Sequence, residues 1–267
     1  MECARDLDQR SVGEIVRLIH REDAVALEAV SLVFDQIEAA VDVLEATIAG
    51  GGTWFNVGAG TSGRIGVLDA SEIPPTFGLS PKRVQGIIAG GDRALRIAVE
   101  GAEDNFEAGS WELRERGLTM GDSIVAISAS GSTPFALGAI EAAHEVGARS
   151  IGISCDSNSP LAEAVEISIA PHVGPEVIAG STRMKGGLVQ KMILHTLSTA
   201  VMVKLGRVKG NLMTNLAPSN DKLKDRALRI VLQLTELTPD RARQLLDQNG
   251  GCVEAALQAA RSPVGGN

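Results

Sequence analysis

The sequence contains no tyrosine, and aromatic residues make up only 3% of its 267 residues. Proteins that hold single-stranded nucleic acid stack bases on aromatic side chains, so such a platform is not expected here. Clustered positive charge is also missing, because no run of Lys and Arg exceeds two residues and the net charge is −8 at pH 7. Since phosphate backbones are bound by clustered cations, we expect no nucleic-acid partner.

Long apolar runs and a paired set of cysteines are missing as well. The most apolar long window, 188–205, contains Gln190, Lys191, His195 and Lys204, which predicts an internal helix and no membrane partner. The first ten residues, "MECARDLDQR", are charged, so no secretory signal is expected. Three widely spaced cysteines suit a reducing cytosol and form no metal-binding pattern. We therefore expect a soluble cytoplasmic protein without a metal ion.

Short apolar runs alternate with Gly/Ser loops and helical stretches through the middle of the chain. The runs are "TWFNV" (53–57), "VQGIIA" (84–89), "SIVAIS" (123–128), "SIGIS" (150–154) and "EISIA" (166–170). Strands buried on both faces and separated by helices form parallel sheets with right-handed crossovers. The pattern predicts a doubly wound α/β fold with a parallel five-stranded sheet.

Helical periodicity occurs on both sides of this core. Apolar residues recur at helical spacing from Val12 to Ile48, which predicts two helices that pack on the core within residues 1–50. The core domain is expected at 51–212. Residues 213–267 are expected to form a small helical appendage, in which Thr238 caps a helical hairpin broken at Gly250 and Gly251. The final "SPVGGN" is expected to be loose.

The stretch "NVGAGTSGRIG" contains G-x-G-x-x-G at Gly58, Gly60 and Gly63, a pattern shared with dinucleotide-binding folds. That interpretation requires an acidic residue about 20 positions later, at the end of the second strand. Position 83 is Arg83, and the first acid after the second strand is Asp92. The sequence therefore disfavours a dinucleotide, and the loop is interpreted as half of a sugar-phosphate site.

A second loop of the same design, "SASGSTP" (128–134), follows the third strand. Loops at the carboxyl ends of parallel strands lead into helix N-termini, which attract anions. Hydroxyl groups add donors suited to a phosphate monoester, and the candidates are Ser62, Ser128, Ser130 and Thr133, with Thr61 as a weaker one. Either loop alone is also explained by helix capping and turn formation. Two such loops in one sheet favour phosphate binding.

The motifs "GAGTSGR" and "SASGST" resemble those of the sugar isomerase (SIS) domain, a flavodoxin-like fold. More narrowly, "NVGAGTSGRIGVLDASEIPPTFG" (56–78), "AVEGAEDN" (98–105) and "GSTRMKGG…QKMILHTLSTAVMVKLGRVKGNLM" (180–213) are similar to the N-acetylmuramic acid 6-phosphate etherases. The resemblance implies a cytoplasmic homodimer without a cofactor, with sites at the subunit interface. It also implies cleavage of the D-lactyl ether of N-acetylmuramic acid 6-phosphate, giving N-acetylglucosamine 6-phosphate and D-lactate in cell-wall recycling.

An ether β to an aldehyde breaks readily, because the C2 proton of the open-chain sugar is acidic. One base at C2 and one acid at the leaving oxygen suffice, and water then adds to the unsaturated aldehyde. Glu72 in "DASEIPP" and Glu103 in "EGAEDN" are the glutamates at the matching positions. The resemblance implies Glu72 as the acid and Glu103 as the base. Glu100, three residues before Glu103, is expected to share its helical face.

Further polar residues lie near these motifs. Arg64 either contacts substrate or holds its loop by pairing with Asp69. The segment "GSTRMK" offers Ser181, Thr182, Arg183 and Lys185 at a helix start. Of these, Ser181 and Arg183 are the candidates for substrate binding: Arg183 could bind the lactyl carboxylate by a two-pronged contact, and a structural ion pair is the equal alternative for it.

Two other functions remain open on the same fold. A non-catalytic sensor would bind a sugar phosphate and regulate a partner protein. An aldose–ketose phosphate isomerase would share deprotonation at C2 but would need no acid for a leaving group. The presence of both Glu72 and Glu103 favours the etherase.

Overall fold

The computed structural model describes residues 1–216, 218 and 220–261. The final six residues, expected to be loose, lie outside the described residues, as do positions 217 and 219 of the expected appendage. In the described part of the chain, no helix combines the length and apolar character that a membrane crossing requires.

Five parallel strands form one sheet. They are β1 (Trp54–Gly58), β2 (Val84–Ile88), β3 (Ser123–Ile127), β4 (Arg149–Ile153) and β5 (Ile167–Ile169). Their order is β2-β1-β3-β4-β5, the flavodoxin-like order. All residues of β1 and β3 are buried, as expected for central strands covered on both faces. The predicted doubly wound parallel sheet is confirmed, and each predicted strand overlaps an observed one.

Helices precede, connect and follow the strands. They are α1 (Val12–Ser31), α2 (Phe34–Ala49), α3 (Gly60–Phe77), α4 (Gly91–Ala94), α5 (Phe106–Glu115), α6 (Pro134–Val146), α7 (Pro160–Ala164), α8 (Lys185–Lys204), α9 (Asp221–Leu234), α10 (Pro239–Gln248) and α11 (Val253–Arg261). A capping box begins α1, with Ser11 accepting from the Glu14 amide and Glu14 accepting from the Ser11 amide. Two short 3₁₀ helices, Glu2–Ala4 and Leu7–Gln9, precede it.

The chain forms two compact units. The first comprises Met1–Ala70 and Lys82–Val201, and it contains the sheet. One of its apolar clusters joins alternate residues of β1 and β3, including Phe55 and Ile124, to α6 residues such as Phe135 and Ile140.

The second unit comprises Ser71–Pro81 and Met202–Asn267. Its apolar cluster joins α9, α10 and α11 through residues such as Val231, Leu245 and Leu257. Thr238 accepts a hydrogen bond from the Arg241 amide and so caps α10, as predicted.

The strand order reverses beside β1. The chain passes from β1 to β2 on one side and then to β3 on the other side of β1. In such sheets a crevice opens at the carboxyl ends of the strands where the direction changes. This topology places the loops after β1 and β3 next to each other.

Candidate functional site

The turn from β1 into α3 is tight because glycine occupies its close contacts. A Cβ atom on Gly63 would lie 2.5 Å from the carbonyl oxygen of Gly58, and Gly60 adopts φ +54°. Only glycine accommodates both the approach and the left-handed backbone at low cost. The turn brings Thr61 and Ser62 into the first turn of α3, where helix amides attract anions.

Three hydroxyl groups cluster in the loop between β3 and α6. The Ser128 hydroxyl lies 2.8 Å from Thr133 Oγ1 and 3.4 Å from Ser130 Oγ, and it accepts a 3.0 Å bond from the Gly131 amide. Ser130 Oγ accepts from the amide and the hydroxyl of Ser132. Both serines therefore also stabilise the turn. Thr133 is the N-cap residue of α6, but its side chain makes no capping bond, so its hydroxyl faces the cluster.

The segment after β4 holds the β3–α6 loop through main-chain hydrogen bonds. The carbonyl oxygen of Ala129 accepts a 2.9 Å bond from the Cys155 amide, and that of Gly131 accepts a 2.9 Å bond from the Leu161 amide. Gly131 has φ +66°, and a Cβ atom there would lie 2.1 Å from Ser159 Oγ. The hydroxyl loop is therefore held in shape before any ligand binds.

The two loops line one cleft of about 480 Å³. It brings together six of the predicted site residues, which are Thr61, Ser62, Glu103, Ser128, Ser130 and Thr133. Asp104 and Thr182 also line it. Asp104 was not selected from the sequence, where its position directly after Glu103 was the only signal. The cleft combines hydroxyl groups, backbone amides at two helix starts and one candidate base.

Glu103 lies in a turn at the edge of this cleft. Its carbonyl oxygen accepts a 3.0 Å bond from the Phe135 amide in the first turn of α6, and its side chain is exposed. The expectation that Glu100 and Glu103 share a helical face is wrong. Residues 95–105 form turns and bends between α4 and α5, and Gly101, between the two glutamates, has φ +71°, a conformation that interrupts a helix.

Arg64 ties α3 to the chain that leads to Glu103. Its Nε donates to the carbonyl oxygen of Leu95 at 3.2 Å, and its Nη2 donates to that of Ala94 at 2.6 Å. Asp69, the partner considered from the sequence, accepts a 3.1 Å bond from the Ser198 hydroxyl. Arg64 lines a second, smaller pocket, which shares Glu103 with the cleft.

A carboxylate of the protein itself occupies the start of α8. Glu176 accepts hydrogen bonds from the amides of Lys185 at 3.1 Å and Gly186 at 2.9 Å. These amides are therefore already bound to an anion. Burial and the Glu176 charge raise the pKa of Cys155 to about 12, against an opposing effect of Lys185. Cys155 is thus a thiol at neutral pH.

The turn before α8 contributes to the cleft through Gly180 and Thr182. The residues selected from the sequence, Ser181 and Arg183, are not among those that line it. Ser181 is half-buried and Arg183 is exposed. Within the described residues, Arg183 makes no ion pair. Its carboxylate-binding role remains a prediction.

Glu72 lies on α3 and belongs to the second unit, where its side chain is exposed. The helix continues past it through Pro74 and Pro75 to Phe77. Its pairing with Glu103 in one site remains a prediction. Among the described residues, no group of three or more His, Cys, Asp and Glu side chains is arranged to hold a metal ion.

Known proteins share this fold. A family model for the glucokinase regulatory protein N-terminal SIS domain matches residues 35–144. A solved phosphoheptose isomerase from Francisella tularensis superposes with a TM-score of 0.56 at 19% identity, covering 73% of this chain and 99% of that one. A phosphoheptose isomerase from Neisseria gonorrhoeae gives 0.54 at 18% identity, covering 72% and 98%. At these identities the likeness concerns the fold.

Sequence relatives are much closer. An N-acetylmuramic acid 6-phosphate etherase from Pectobacterium atrosepticum is 46% identical over 259 residues, covering 97% of this chain and 86% of the relative. One from Caldanaerobacter subterraneus subsp. tengcongensis is 47% identical over 252 residues, covering 94% and 82%. One from Escherichia coli is 42% identical, covering 96% and 95%. Identity at this level over 94–97% of this chain and 82–95% of the relatives means that this protein belongs to the N-acetylmuramic acid 6-phosphate etherase family.

Proposed function

We propose that this protein is an N-acetylmuramic acid 6-phosphate etherase, a carbon–oxygen lyase of cell-wall recycling. It releases D-lactate from N-acetylmuramic acid 6-phosphate and leaves N-acetylglucosamine 6-phosphate. The observation that carries the proposal, beside the family membership, is the cleft of about 480 Å³ in which hydroxyl loops and Glu103 meet. The alternative functions, a sensor and an isomerase, are not favoured by relatives that are named as etherases.

The sugar phosphate binds with its phosphate at the hydroxyl groups of Ser62, Ser128, Ser130 and Thr133, assisted by Thr61 and by loop amides. Helix-start amides and hydroxyls both donate to phosphate oxygens. The Ser128 hydroxyl already lies 2.8 Å from that of Thr133 and 3.4 Å from that of Ser130. Because the loop is preorganised, little ordering is required when phosphate binds.

The reaction proceeds on the open-chain aldehyde. Glu103 removes the C2 proton, and the electron pair forms a C2–C3 double bond as the C3–oxygen bond breaks. Glu72 protonates the leaving oxygen, which departs as D-lactate. Water then adds to C3, a proton returns to C2, and the ring closes to N-acetylglucosamine 6-phosphate. The protein groups carry out this sequence by acid and base catalysis alone.

The first test is release of D-lactate by the purified full chain in D₂O. Elimination followed by addition places deuterium at C2 of the product, whereas direct hydrolysis of the ether leaves C2 untouched. We expect D-lactate and a deuterated C2. Binding of the sugar phosphate without D-lactate would transfer the assignment to the sensor, and conversion of aldose to ketose phosphates would transfer it to the isomerase.

Two variants separate the acid from the base. Glu103→Gln is expected to lower D-lactate release by at least about a hundredfold and to abolish exchange of the C2 proton. Glu72→Gln is expected to lower D-lactate release similarly while C2 exchange with D₂O persists. If the exchange is instead lost in Glu72→Gln and kept in Glu103→Gln, the two roles are reversed.

The proposed assembly is a homodimer with sites at the subunit interface. In support, α1 exposes apolar side chains on one face: Val12, Val16 and Leu27 are 77%, 59% and 63% exposed, and exposed apolar patches mark association surfaces. Mixing inactive Glu72→Gln and Glu103→Gln subunits tests the shared site. If each site draws one glutamate from each subunit, reassorted dimers recover about a quarter of wild-type activity. If one chain supplies both, mixing recovers none.

The proposed location is the cytoplasm. In support, Cys3, Cys155 and Cys252 are all free thiols, as is usual for proteins of reducing compartments. Cell fractionation with detection of the untagged protein tests this, and recovery in the membrane or extracellular fraction would contradict it.

A further inference from the structure

A small pocket beside the phosphate cleft has a composition of its own. It encloses about 190 Å³ and shares Ala59, Gly60 and Glu103 with the cleft. Its remaining walls are mostly methyl groups, from Ala89, Ala94, Ala98, Val99 and Ala102. Arg64 is the one cation among the described residues that line it. A single water takes about 30 Å³ in the liquid. The pocket therefore has room for a group of several heavy atoms.

Arg64 is held in place by two hydrogen bonds and has further N–H donors available. A guanidinium group has five N–H donors, and two of them bond to the carbonyl oxygens of Ala94 and Leu95. Among the described residues, the other three have no acceptor. The carbonyls belong to the last residue of α4 and to its C-cap residue, Leu95. The anchored planar group can thus present its free edge to a carboxylate.

We propose that this pocket is the subsite for the D-lactyl group, with Arg64 binding its carboxylate and the alanine walls enclosing its methyl group. The inference rests on the proposed function, since the lactyl substituent at C3 lies next to C2, where Glu103 acts. The methyl walls and the guanidinium match the methyl and carboxylate of the lactyl group. This assignment replaces the expected role of Arg183, which lines neither pocket. The acetamido group at C2 also carries a methyl group and a carbonyl acceptor, but it has no charge, so the guanidinium matches the lactyl carboxylate better.

Two carboxylates near Arg64 make its positive charge necessary for binding an anion. Glu100 and Glu103 both line the pocket, and like charges at close range disfavour a bound anion. The guanidinium offsets them when the lactyl carboxylate enters. Without Arg64, the pocket accepts a neutral group more readily than an anion. The proposal therefore predicts that loss of Arg64 reverses the preference of the pocket for an anionic over a neutral group. A purely structural role of Arg64 does not predict this reversal.

The test compares N-acetylmuramic acid 6-phosphate with its lactyl amide, in which the carboxylate is replaced by a neutral carboxamide. In the wild type, kcat/KM is expected to favour the acid roughly ten- to hundredfold. In Arg64→Met the ratio falls to one or below, in Arg64→Lys part of it remains, and in Glu100→Gln it rises. Arg93→Met is the control, because Arg93 is an exposed neighbour on α4 that lines neither pocket.

Inhibition by N-acetylglucosamine 6-phosphate, which lacks the lactyl group, reports on the phosphate cleft and the fold. Its inhibition constant is expected to be unchanged in Arg64→Met. If Arg64→Met keeps the wild-type ratio of kcat/KM for the acid over the amide, even at a lower rate, Arg64 serves only to hold the Ala94–Leu95 segment. That result would overturn the proposed lactyl subsite. If the wild type releases no D-lactate, the etherase assignment fails separately. Calorimetric affinities of the acid and the amide for wild type and Arg64→Met then test the subsite itself.

Discussion

The amide of Phe135 donates a 3.0 Å hydrogen bond to the carbonyl oxygen of Glu103. Phe135 lies in the first turn of α6, two residues after Thr133, which belongs to the hydroxyl cluster. The bond joins the turn that carries the proposed base to the loop that binds the proposed phosphate. The spacing between the proposed base and the proposed phosphate-binding loop is therefore set by main-chain contacts, and it depends on how α5 packs against α6.

Gly109 and Gly138 allow that packing. A Cβ atom on Gly109 would lie 1.9 Å from the Phe135 carbonyl oxygen, and one on Gly138 would lie 1.9 Å from that of Phe106. Gly138→Ala is expected to force α5 away from α6, to lower the free energy of unfolding by about 1–3 kcal/mol and to reduce kcat as Glu103 moves. Urea unfolding and D-lactate release measure the two effects.

Gly121→Ala is the matched control. Among the described residues other than its chain neighbours, only Thr119 Oγ1 would lie within 4 Å of a Cβ there, at 3.7 Å. It is expected to change neither quantity appreciably. Full activity in Gly138→Ala would show that the α5–α6 contact does not position Glu103.

Ser128 connects the hydroxyl cluster to the backbone of its own loop. It is 2% exposed. Ser128→Ala removes one of the two acceptors of the Gly131 amide, which also donates to the Ser128 carbonyl oxygen, and it removes one proposed donor to phosphate. We expect affinity for N-acetylglucosamine 6-phosphate to fall roughly tenfold or more, while weak binding of unphosphorylated N-acetylglucosamine changes little. Titration calorimetry measures both, with Ser157→Ala at an exposed turn as the control. Equal losses for both sugars would contradict a phosphate-specific role.

Lys185 pairs with Glu22 away from solvent. The Nζ–Oε2 distance is 2.7 Å, and the two side chains are 2% and 16% exposed. Glu22→Gln leaves a buried ammonium without its counter-charge, so a loss of about 3 kcal/mol in unfolding free energy is expected. In the exposed pair Arg229–Asp225, with exposures of 68% and 64%, Asp225→Asn is expected to cost below about 1 kcal/mol. Similar small losses in both variants would mean that the buried pair contributes little.

The three cysteines are expected to differ in reactivity. The pKa of Cys155 is raised to about 12, first by burial and then by the Glu176 charge, so its thiolate fraction at pH 8 is on the order of 10⁻⁴. Cys3 is exposed. Alkylation followed by mass spectrometry should label Cys3 in the native protein and Cys155 only after unfolding. Glu176→Gln, which removes a cause of the raised pKa, is expected to speed labelling of Cys155. Rapid native labelling of wild-type Cys155 would refute this.

Local sequence patterns were sufficient for the sheet and the paired loops. Strand runs such as "TWFNV" and "SIVAIS" are mostly apolar and carry no charge, because both faces of a central parallel strand are buried. The glycines around Thr61 and Ser62 marked the turn, since its close contacts exclude a side chain. A glycine also explains the expectation that was wrong. Gly101 has a positive φ and interrupts the helix in which Glu100 and Glu103 were expected.

Contacts between distant segments could not be inferred in this way. Lys185 was selected as a polar residue at a helix start, yet it is buried against Glu22, 163 positions away. The amides at that helix start are bound to Glu176, which no motif indicated. Arg64 bonds to carbonyls 30 and 31 positions later.

The sequence by itself determined the element types, the strand and loop sites and the candidate chemistry, because periodicity, turn glycines and hydroxyl loops act over a few residues. Only the tertiary structure decided which of those groups share a cleft and which are committed to one another. The strand order places the loops after β1 and β3 side by side. The Phe135–Glu103 bond holds the turn of the proposed base, which lines both the cleft and the pocket of Arg64. Such pairings depend on how distant elements pack, and spacing along the chain does not encode them.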